Sequence, residues 1–207
     1  MSEVETIRAP VRSHADGFKA VRWHPANVAG DGPFLFLRDG SSPYGFWRLP
    51  EGGMCLSAFL FVRRGKKIVL GKYRDRPEWA DLAGLEPERV RRSMAGWTIP
   101  ASQLKFGEDP REAARRIGER ILKMPGLTYS EPRVATELYE PTWLPGKSHY
   151  DVSFIVEARP PSGLRLDPPP WYAEMAWWDP IDLPADAYGR SHGDVVAMWK
   201  KMGPQPR

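Results

Sequence analysis

The charged side chains best suited to chemistry lie together in residues 96–126, which read GWTIPASQLKFGEDPREAARRIGERILKMPG. They are Lys105, Glu108, Arg111, Glu112, Arg115, Arg116, Glu119 and Arg120. Guanidinium groups bind phosphate oxygens through paired hydrogen bonds, whereas carboxylates bind hard cations such as Mg²⁺. The stretch therefore has the residue types for either a phosphate site or a metal site.

A helix must position most of these side chains. Asp109 is a suitable N-cap, Pro110 suits the first helical position, and Glu112 completes a capping-box pattern. Apolar residues recur every four positions along one edge, which predicts that this edge packs on a core. They are Ala113, Ile117 and Ile121. Residues 124–126, Met-Pro-Gly, predict the end of the helix.

This stretch resembles the box of the Nudix hydrolase family, in which G, five residues, E and seven residues precede R-E-U-x-E-E-x-G-U, with U a bulky aliphatic residue. Residues 97–102, WTIPAS, correspond to the family pattern W-x-L-P-G-G, and Gly107 and Glu108 correspond to the following G-E. Both motif glycines are replaced, by Ala101 and Ser102. The resemblance extends over residues 54 to about 202.

Two alignments of the helix are open. Without a gap, Arg116 is the motif arginine and isoleucines fall on carboxylate positions. With one residue removed in the turn at 109–110, Arg115 is the motif arginine and Glu119 is the first glutamate of the E-E pair. We prefer the gapped alignment because a deletion in a turn costs little, whereas the apolar edge of a packed helix cannot rotate freely.

In the gapped alignment, Arg116 and Arg120 replace the two other helix glutamates, and Lys105 stands where relatives often carry an acidic residue. A guanidinium has no lone pair to offer a metal and repels it electrostatically. The resemblance thus implies a Nudix-fold protein with a degenerate metal site and no cofactor, which binds an anionic, nucleotide-like ligand or acts within an assembly. The expected ligand-binding residues are Lys105, Arg115, Arg116 and Arg120.

Three alternatives remain. One is an active hydrolase of nucleoside diphosphate-linked compounds, with Mg²⁺ held by Glu108, Glu112 and Glu119, of which Glu119 is the catalytic residue. A second is a structural subunit of a larger complex that binds a protein partner through its N-terminal extension. In the third, the arginines form a solvated helix face with pairs such as Glu112–Arg116, four residues apart.

The fold class expected from the resemblance is α/β in the α+β mixed sense, a Nudix-like sandwich of a mixed β-sheet between helices. We expect an N-terminal extension with short strands at 1–53 and a Nudix-like domain at 54–207, with an insertion at 75–94. The predicted strands are 18–23, 34–37, 57–62, 68–73, 133–139, 150–158 and 175–178, and the predicted helices besides the box helix are 87–94 and 194–202.

Composition narrows the function further. The chain of 207 residues has a formal net charge of +4, which favours an anionic partner but does not indicate nucleic acid. The longest apolar run, residues 54–62, is too short to cross a bilayer, so we expect a cytoplasmic protein without a membrane partner.

The remaining metal-binding residue types show no pattern. The single cysteine, Cys55, excludes an internal disulfide and a multi-cysteine zinc site, and its place before an apolar strand predicts a buried structural thiol. The four histidines have no metal-ligand spacing, so each is interpreted as structural or exposed. They are His14, His24, His149 and His192.

Overall fold

A computed structural model of the chain describes residues 54–105, 107–140, 145–147 and 149–203. Its strands are β1 (Met54–Arg64), β2 (Lys67–Tyr73), β3 (Ala101–Gln103), β4 (Thr128–Tyr129), β5 (Arg133–Tyr139), β6 (His149–Arg159) and β7 (Tyr172–Trp178). Its α-helices are α1 (Glu78–Ala83), α2 (Pro87–Ser93), α3 (Pro110–Arg116) and α4 (His192–Lys201). A π-helical turn (Ile117–Ile121) continues α3, and a 3₁₀ turn (Ala185–Ala187) precedes α4.

The strands form one mixed sheet with β1 near its centre. β6 lies parallel to β1 on one side, in a register that pairs Cys55 with Asp151 and Val62 with Ala158. On the other side β1 pairs antiparallel with β3 near its start and with β2 at its end. β7 extends the sheet beyond β2, and β4 and β5 pair with β6. The mixed sheet expected from the sequence is therefore confirmed.

Helices cover both faces of the sheet. Because side chains of a strand alternate between faces, Leu60 of β1 packs with Ile117 of the box helix, whereas its neighbour Phe61 lies in the cluster that contains Val195 and Val196 of α4. All of these side chains are buried. The box helix and α4 thus lie on opposite faces, as expected for a sheet sandwiched between helices.

Most predicted elements in the described part of the chain are confirmed. The hairpin, the three later strands and the helices at 87–94 and 194–202 appear within a few residues of their expected bounds. The short α1 and β3 were not predicted, because six and three residues are too few to establish a hydrophobic period. The strands expected at 18–23 and 34–37, and the whole extension at 1–53, lie outside the described residues.

The segment 75–94 is part of the core. Trp79 and Leu85 are 1% exposed and Val90 is fully buried, and all three belong to the cluster under the box helix. The insertion expected at 75–94 therefore contributes buried side chains to the core. In the described part of the chain, no helix is long and apolar enough to cross a membrane.

Candidate functional site

The box helix begins where the sequence predicts. The Asp109 side chain accepts a hydrogen bond from the backbone N–H of Arg111 at 2.7 Å, and Glu112 Oε2 accepts one from the backbone N–H of Asp109 at 3.4 Å. Pro110 occupies the first turn. Glu112 is exposed and serves as the reciprocal member of the capping box.

The strongest polar contact of the box joins Arg116 to Glu108. Arg116 Nε donates to Glu108 Oε1 at 2.6 Å, and its Nη2 donates to Oε2 at 2.7 Å, which makes the pair bidentate. Their side chains are only 10% and 11% exposed. Glu108 Oε2 also accepts from the backbone N–H of Lys105 at 2.8 Å. Glu108 therefore connects the loop, at Lys105, to the box helix, at Arg116, through a buried ion pair.

The remaining donors of Arg116 bind neighbouring elements. Its Nη1 donates to the carbonyl oxygen of Leu82 at 3.0 Å and to Ser102 Oγ at 2.8 Å, and its Nη2 donates to the carbonyl oxygen of Gln103 at 3.0 Å. Together with the two bonds to Glu108, these contacts use all five N–H groups of the guanidinium. Arg116 thus fastens the box helix to α1 and β3, and it is the arginine that the ungapped alignment places at the motif position.

The other charged residues of the box do not converge. Arg115, Glu119 and Arg120 are exposed, and Lys105 is half-buried. Within the described residues, the three carboxylates of the alternative metal set do not form a group close enough to share an ion. Three N–H groups already point at Glu108, and Glu112 caps the helix. This arrangement does not fit Mg²⁺ held by Glu108, Glu112 and Glu119.

A π turn at Ile117–Ile121 continues the box helix beyond Arg116. The backbone N–H of Leu122 donates to the carbonyl oxygen of Ile117 at 2.9 Å, five residues back. Such a turn holds one residue more than an α turn. The π turn, which follows Arg116, can therefore accommodate one extra residue within the helix. A deletion in the turn at 109–110 is then not required. Ile117 and Ile121 are both fully buried.

A cavity of about 140 Å³ lies on the opposite face of the sheet, beneath the start of α4. Its floor includes alternate residues of the strands, and its rim includes charged residues of α2, of α4 and of the segment just before α4. Its polar lining residues are Cys55, Ser57, Arg89, Gln103, Glu137, Tyr139, Asp151, Ser153, Arg190, Ser191, His192 and Asp194. This volume is well above what one water molecule requires.

Charges of both signs line this cavity. Burial and the nearby charge of Arg190 lower the pKa of Arg89, so the two guanidiniums are close enough to repel each other. Burial, followed by the charges of Asp194 and Asp151, raises the pKa of Glu137. The cavity therefore combines a pair of mutually repelling cations with a group of carboxylates.

Two buried polar atoms at this cavity have no hydrogen-bond partner within the described structure. Gln103 is 5% exposed and its Oε1 is unpaired, and Arg190 Nε is likewise buried and unpaired. Arg190 Nη1 donates to Tyr73 Oη at 2.9 Å, which fixes the guanidinium. Arg190 and Ser191 have φ of 57° and 56°, a left-handed conformation that costs roughly 1 kcal/mol or more per residue. The strained backbone at Arg190 and Ser191 therefore holds the arginine in a place where buried polar atoms lack hydrogen-bond partners.

Two side chains that line this cavity, those of Cys55 and Asp151, meet a third side chain with a metal-binding atom, that of His149. His149 Nε2 lies 3.5 Å from Cys55 Sγ and 3.3 Å from Asp151 Oδ1, and the thiol of Cys55 donates to Asp151 Oδ1. Tyr139 Oη donates to Asp151 Oδ2 at 3.0 Å. Among the described residues, this is the group of three whose ligand atoms lie near enough to hold one ion.

The environment sets the protonation of these groups. Burial, followed by the charge of Asp151, raises the pKa of the Cys55 thiol to about 12, so it is not a thiolate nucleophile at neutral pH. Burial alone would raise the pKa of Asp151, but hydrogen bonds from His149 and Cys55 outweigh it and lower that pKa. The buried thiol expected at Cys55 is confirmed, at 7% exposure.

Sequence reasoning missed this cluster. Cys55 is more than ninety residues from His149 in the chain, and neither belongs to a recognisable ligand motif. The available signal was the alternation His149-Tyr150-Asp151 at the start of a strand, which places the first and third side chains on one face. Only the parallel pairing of β6 with β1 brings Cys55 opposite them.

Comparison with known proteins finds solved structures that are similar to this chain. No family model matches the chain, and no curated protein matches it. Nudix hydrolases are among the solved structures that this chain resembles. The resemblance expected from the sequence is thus found again among solved structures.

Three of these similar structures illustrate the extent of the match. A MutT Nudix hydrolase from Burkholderia pseudomallei is 18% identical, with a TM-score of 0.41 over 63% of this chain and 87% of that chain. The Ap4A hydrolase of C. elegans is 19% identical, with a TM-score of 0.44 over 72% and 98%. The dihydroneopterin triphosphate pyrophosphohydrolase of E. coli is 13% identical, with a TM-score of 0.47 over 70% and 93%.

Proposed function

We propose that this Nudix-fold protein binds a phosphorylated, nucleotide-like small molecule in the cavity beneath α4, and that its box does not perform Mg²⁺-dependent pyrophosphate hydrolysis. The observation that carries this proposal is the pair of buried, unpaired atoms at the cavity, Arg190 Nε and Gln103 Oε1. A buried polar atom without a partner costs about 1–3 kcal/mol, and a ligand that pairs with it removes that cost.

The cationic side of the cavity supports a phosphate. Arg89 and Arg190 are close enough for Arg190 to lower the pKa of Arg89, and an anion between two repelling guanidiniums relieves their repulsion. Arg190 presents an unused N–H in a fixed orientation, which suits a phosphate oxygen. We therefore assign the phosphate to this side.

The hydrogen-bond acceptors of the cavity support a polar, uncharged group. Gln103 Oε1 is an acceptor, and the nearby carboxylates of Glu137 and Asp194 also accept hydrogen bonds. Such acceptors suit the hydroxyl groups of a sugar or the exocyclic amine of a base. A ligand that carries both a phosphate and hydroxyl or amine donors matches the arginines and the acceptors of the cavity.

The contacts of the box argue against hydrolysis there. Arg116 uses its five donors inside the protein, and its carboxylate partner Glu108 is held at both oxygens. Hydrolysis assisted by Mg²⁺ needs carboxylate oxygens that are available to the ion and to its waters. Arg115 and Arg120, the other arginines expected to bind the ligand, lie on the exposed side of the helix.

ADP, as a probe with a pyrophosphate and a base, tests this proposal by thermal stabilisation and calorimetric titration. We expect saturable stabilisation of the full chain, a loss of affinity of tenfold or more in Arg190→Met, and no change in the matched variant Arg120→Met. If Arg120→Met or Arg115→Met abolishes the response while Arg190→Met retains it, the ligand binds at the box and our assignment is wrong.

The hydrolase alternative is tested in the same preparation. Phosphate release from dinucleoside polyphosphates and nucleotide sugars is measured with Mg²⁺ or Mn²⁺, and we expect none above background. Metal-dependent turnover that disappears in Glu119→Gln would establish the active hydrolase instead. Co-purification of a stable partner together with no response to ADP would support the structural subunit.

A further inference from the structure

The geometry of Cys55, His149 and Asp151 points to a second kind of site. The three residues come from the first residues of two paired strands, so the central sheet fixes their backbones. Cys55 is 7% exposed and His149 is 1% exposed, and Cys55 and Asp151 line the cavity. A sulfur, a nitrogen and an oxygen ligand therefore converge on a buried, rigid place.

Two of the three distances between the ligand atoms of Cys55, His149 and Asp151 are close to those between the ligands of a tetrahedral metal ion. Around a tetrahedral Zn²⁺ with ordinary bond lengths, neighbouring S, N and O ligands are about 3.4–3.6 Å apart. His149 Nε2 lies 3.5 Å from Cys55 Sγ and 3.3 Å from Asp151 Oδ1. The third edge is shorter, because the Cys55 thiol donates directly to Asp151 Oδ1. A metal would replace this proton and separate the two atoms.

Neighbouring hydroxyl groups orient the ligands. Tyr139 Oη donates to Asp151 Oδ2 at 3.0 Å, so that Oδ1 is the oxygen that faces the cysteine and histidine. Ser57 Oγ lies 3.5 Å from Cys55 Sγ, on the same face of β1. Partners of this kind fix ligand orientation at metal sites and strongly affect metal affinity.

The chemistry of the ligands selects the ion. A thiolate, an imidazole and a carboxylate suit Zn²⁺ and Co²⁺, whereas Mg²⁺ prefers oxygen ligands alone. A thiolate and a carboxylate together balance the charge of a divalent ion, which limits its repulsion by Arg89 and Arg190 at the same cavity. We propose that Cys55, His149 and Asp151 bind Zn²⁺, with the fourth position open to the cavity. This inference goes beyond the proposed ligand binding and does not depend on it.

Binding of the metal releases the thiol proton of Cys55 to solvent, since the thiolate is the form that ligates. Because metal binding displaces this proton, the affinity should increase with pH. The chain has one cysteine, so every thiolate signal arises from this site.

Titration of the full-length, chelator-treated protein with Co²⁺ tests the site. We expect a thiolate-to-cobalt charge-transfer absorption that saturates at one equivalent and is displaced by Zn²⁺ but not by Mg²⁺. Cys55→Ser should abolish the absorption, and Asp151→Asn should weaken Zn²⁺ binding by tenfold or more. Glu112→Gln, a carboxylate removed on the box helix, is the control and should bind as the parent does.

A second measurement does not require a folded variant. In the unmodified protein, Zn²⁺ should slow the reaction of Cys55 with a thiol reagent at least tenfold, and Mg²⁺ should not. Absence of both the absorption and the protection, or equal Zn²⁺ affinity in Cys55→Ser, would overturn the proposal. Because ADP binding is measured separately with and without Zn²⁺, failure of the metal site is distinguishable from failure of the ligand site.

Discussion

Arg116 and Arg190, two arginines on opposite faces of the central sheet, differ in how completely their hydrogen-bond donors are satisfied. On the face that carries the box helix, Arg116 and Glu108 form a bidentate pair and every N–H of the arginine has an acceptor. On the face that carries α4, Gln103 Oε1 and Arg190 Nε are buried without a partner at a cavity. Arg116 of the motif therefore builds structure, whereas Gln103 and Arg190 retain unused binding capacity at the cavity.

The short strand β3 connects the two faces. The side chain of Ser102 accepts from Arg116 on the box side, and that of its neighbour Gln103 lines the cavity on the other side. Ser102 stands where the family pattern has glycine. Its hydroxyl supplies an acceptor that a glycine lacks, so the replacement adds a hydrogen bond to the buried side chain of Arg116.

Breaking the ion pair on the box side should have the largest effect. Arg116→Met leaves Glu108 as a buried, unpaired charge, and we expect a loss of about 3–5 kcal/mol in the free energy of unfolding. Urea denaturation measures it. Arg120→Met, an exposed arginine on the same helix, should change stability by less than about 0.5 kcal/mol. Equal losses in the two variants would show that the pair is not structural.

On the cavity side, acid should destabilise the protein through His192. Its Nδ1 accepts from the backbone N–H of Ile99 at 2.9 Å, and burial, followed by Arg190 and Arg89, lowers its pKa well below the usual value. The unfolded chain binds a proton below about pH 6.5 and the folded chain does not, so stability falls as pH decreases, by up to about 1.4 kcal/mol per unit. Above pH 6.5 this residue contributes no pH dependence.

The matched variant for this prediction is His192→Asn, whose side-chain oxygen is an acceptor that does not titrate. Unfolding free energies measured between pH 5 and pH 8 should show a shallower acid slope in the variant. Superimposable slopes for the two proteins would contradict the assignment of His192 as a buried neutral base.

A smaller effect is expected at the π turn. A Cβ on Gly118 would lie 2.3 Å from Tyr129 Oη and 2.9 Å from a methyl group of Leu127. Gly118→Ala should therefore destabilise by about 1–3 kcal/mol through overpacking. Because the nearest atom is the tyrosine hydroxyl oxygen, Tyr129→Phe should partly rescue it in the double variant. A double variant no more stable than Gly118→Ala would place the strain in the helix backbone instead.

The smallest effect should come from an exposed pair on α2. Glu88 and Arg92 are 3.9 Å apart and 73% and 56% exposed, and such pairs contribute only a few tenths of a kcal/mol. Glu88→Gln should change the unfolding free energy by less than about 0.5 kcal/mol at low salt. A larger loss would mean that α2 depends on surface charge and not on its buried Val90.

Local signals were sufficient for much of the fold and insufficient for the candidate site. The cap at Asp109 and the alternation of Arg133–Tyr139 are properties of neighbouring residues; the helix starts where predicted and the strand has the predicted bounds. The cavity depends on contacts between distant segments, such as Cys55 with His149. The burial of Arg116 could likewise not be predicted. A helical pattern does not indicate which of two adjacent arginines, Arg115 or Arg116, contacts a buried carboxylate.

One experiment measures whether Arg116 or Arg190 contacts the ligand. ¹⁵N–¹H spectra of the arginine Nε groups are recorded during titration with ADP. The signals are assigned with the variants Arg116→Lys and Arg190→Lys. We expect the Arg190 Nε–H signal to shift with saturation, while that of Arg116, held by Glu108, does not. A saturable shift of Arg116 without one of Arg190 would contradict it.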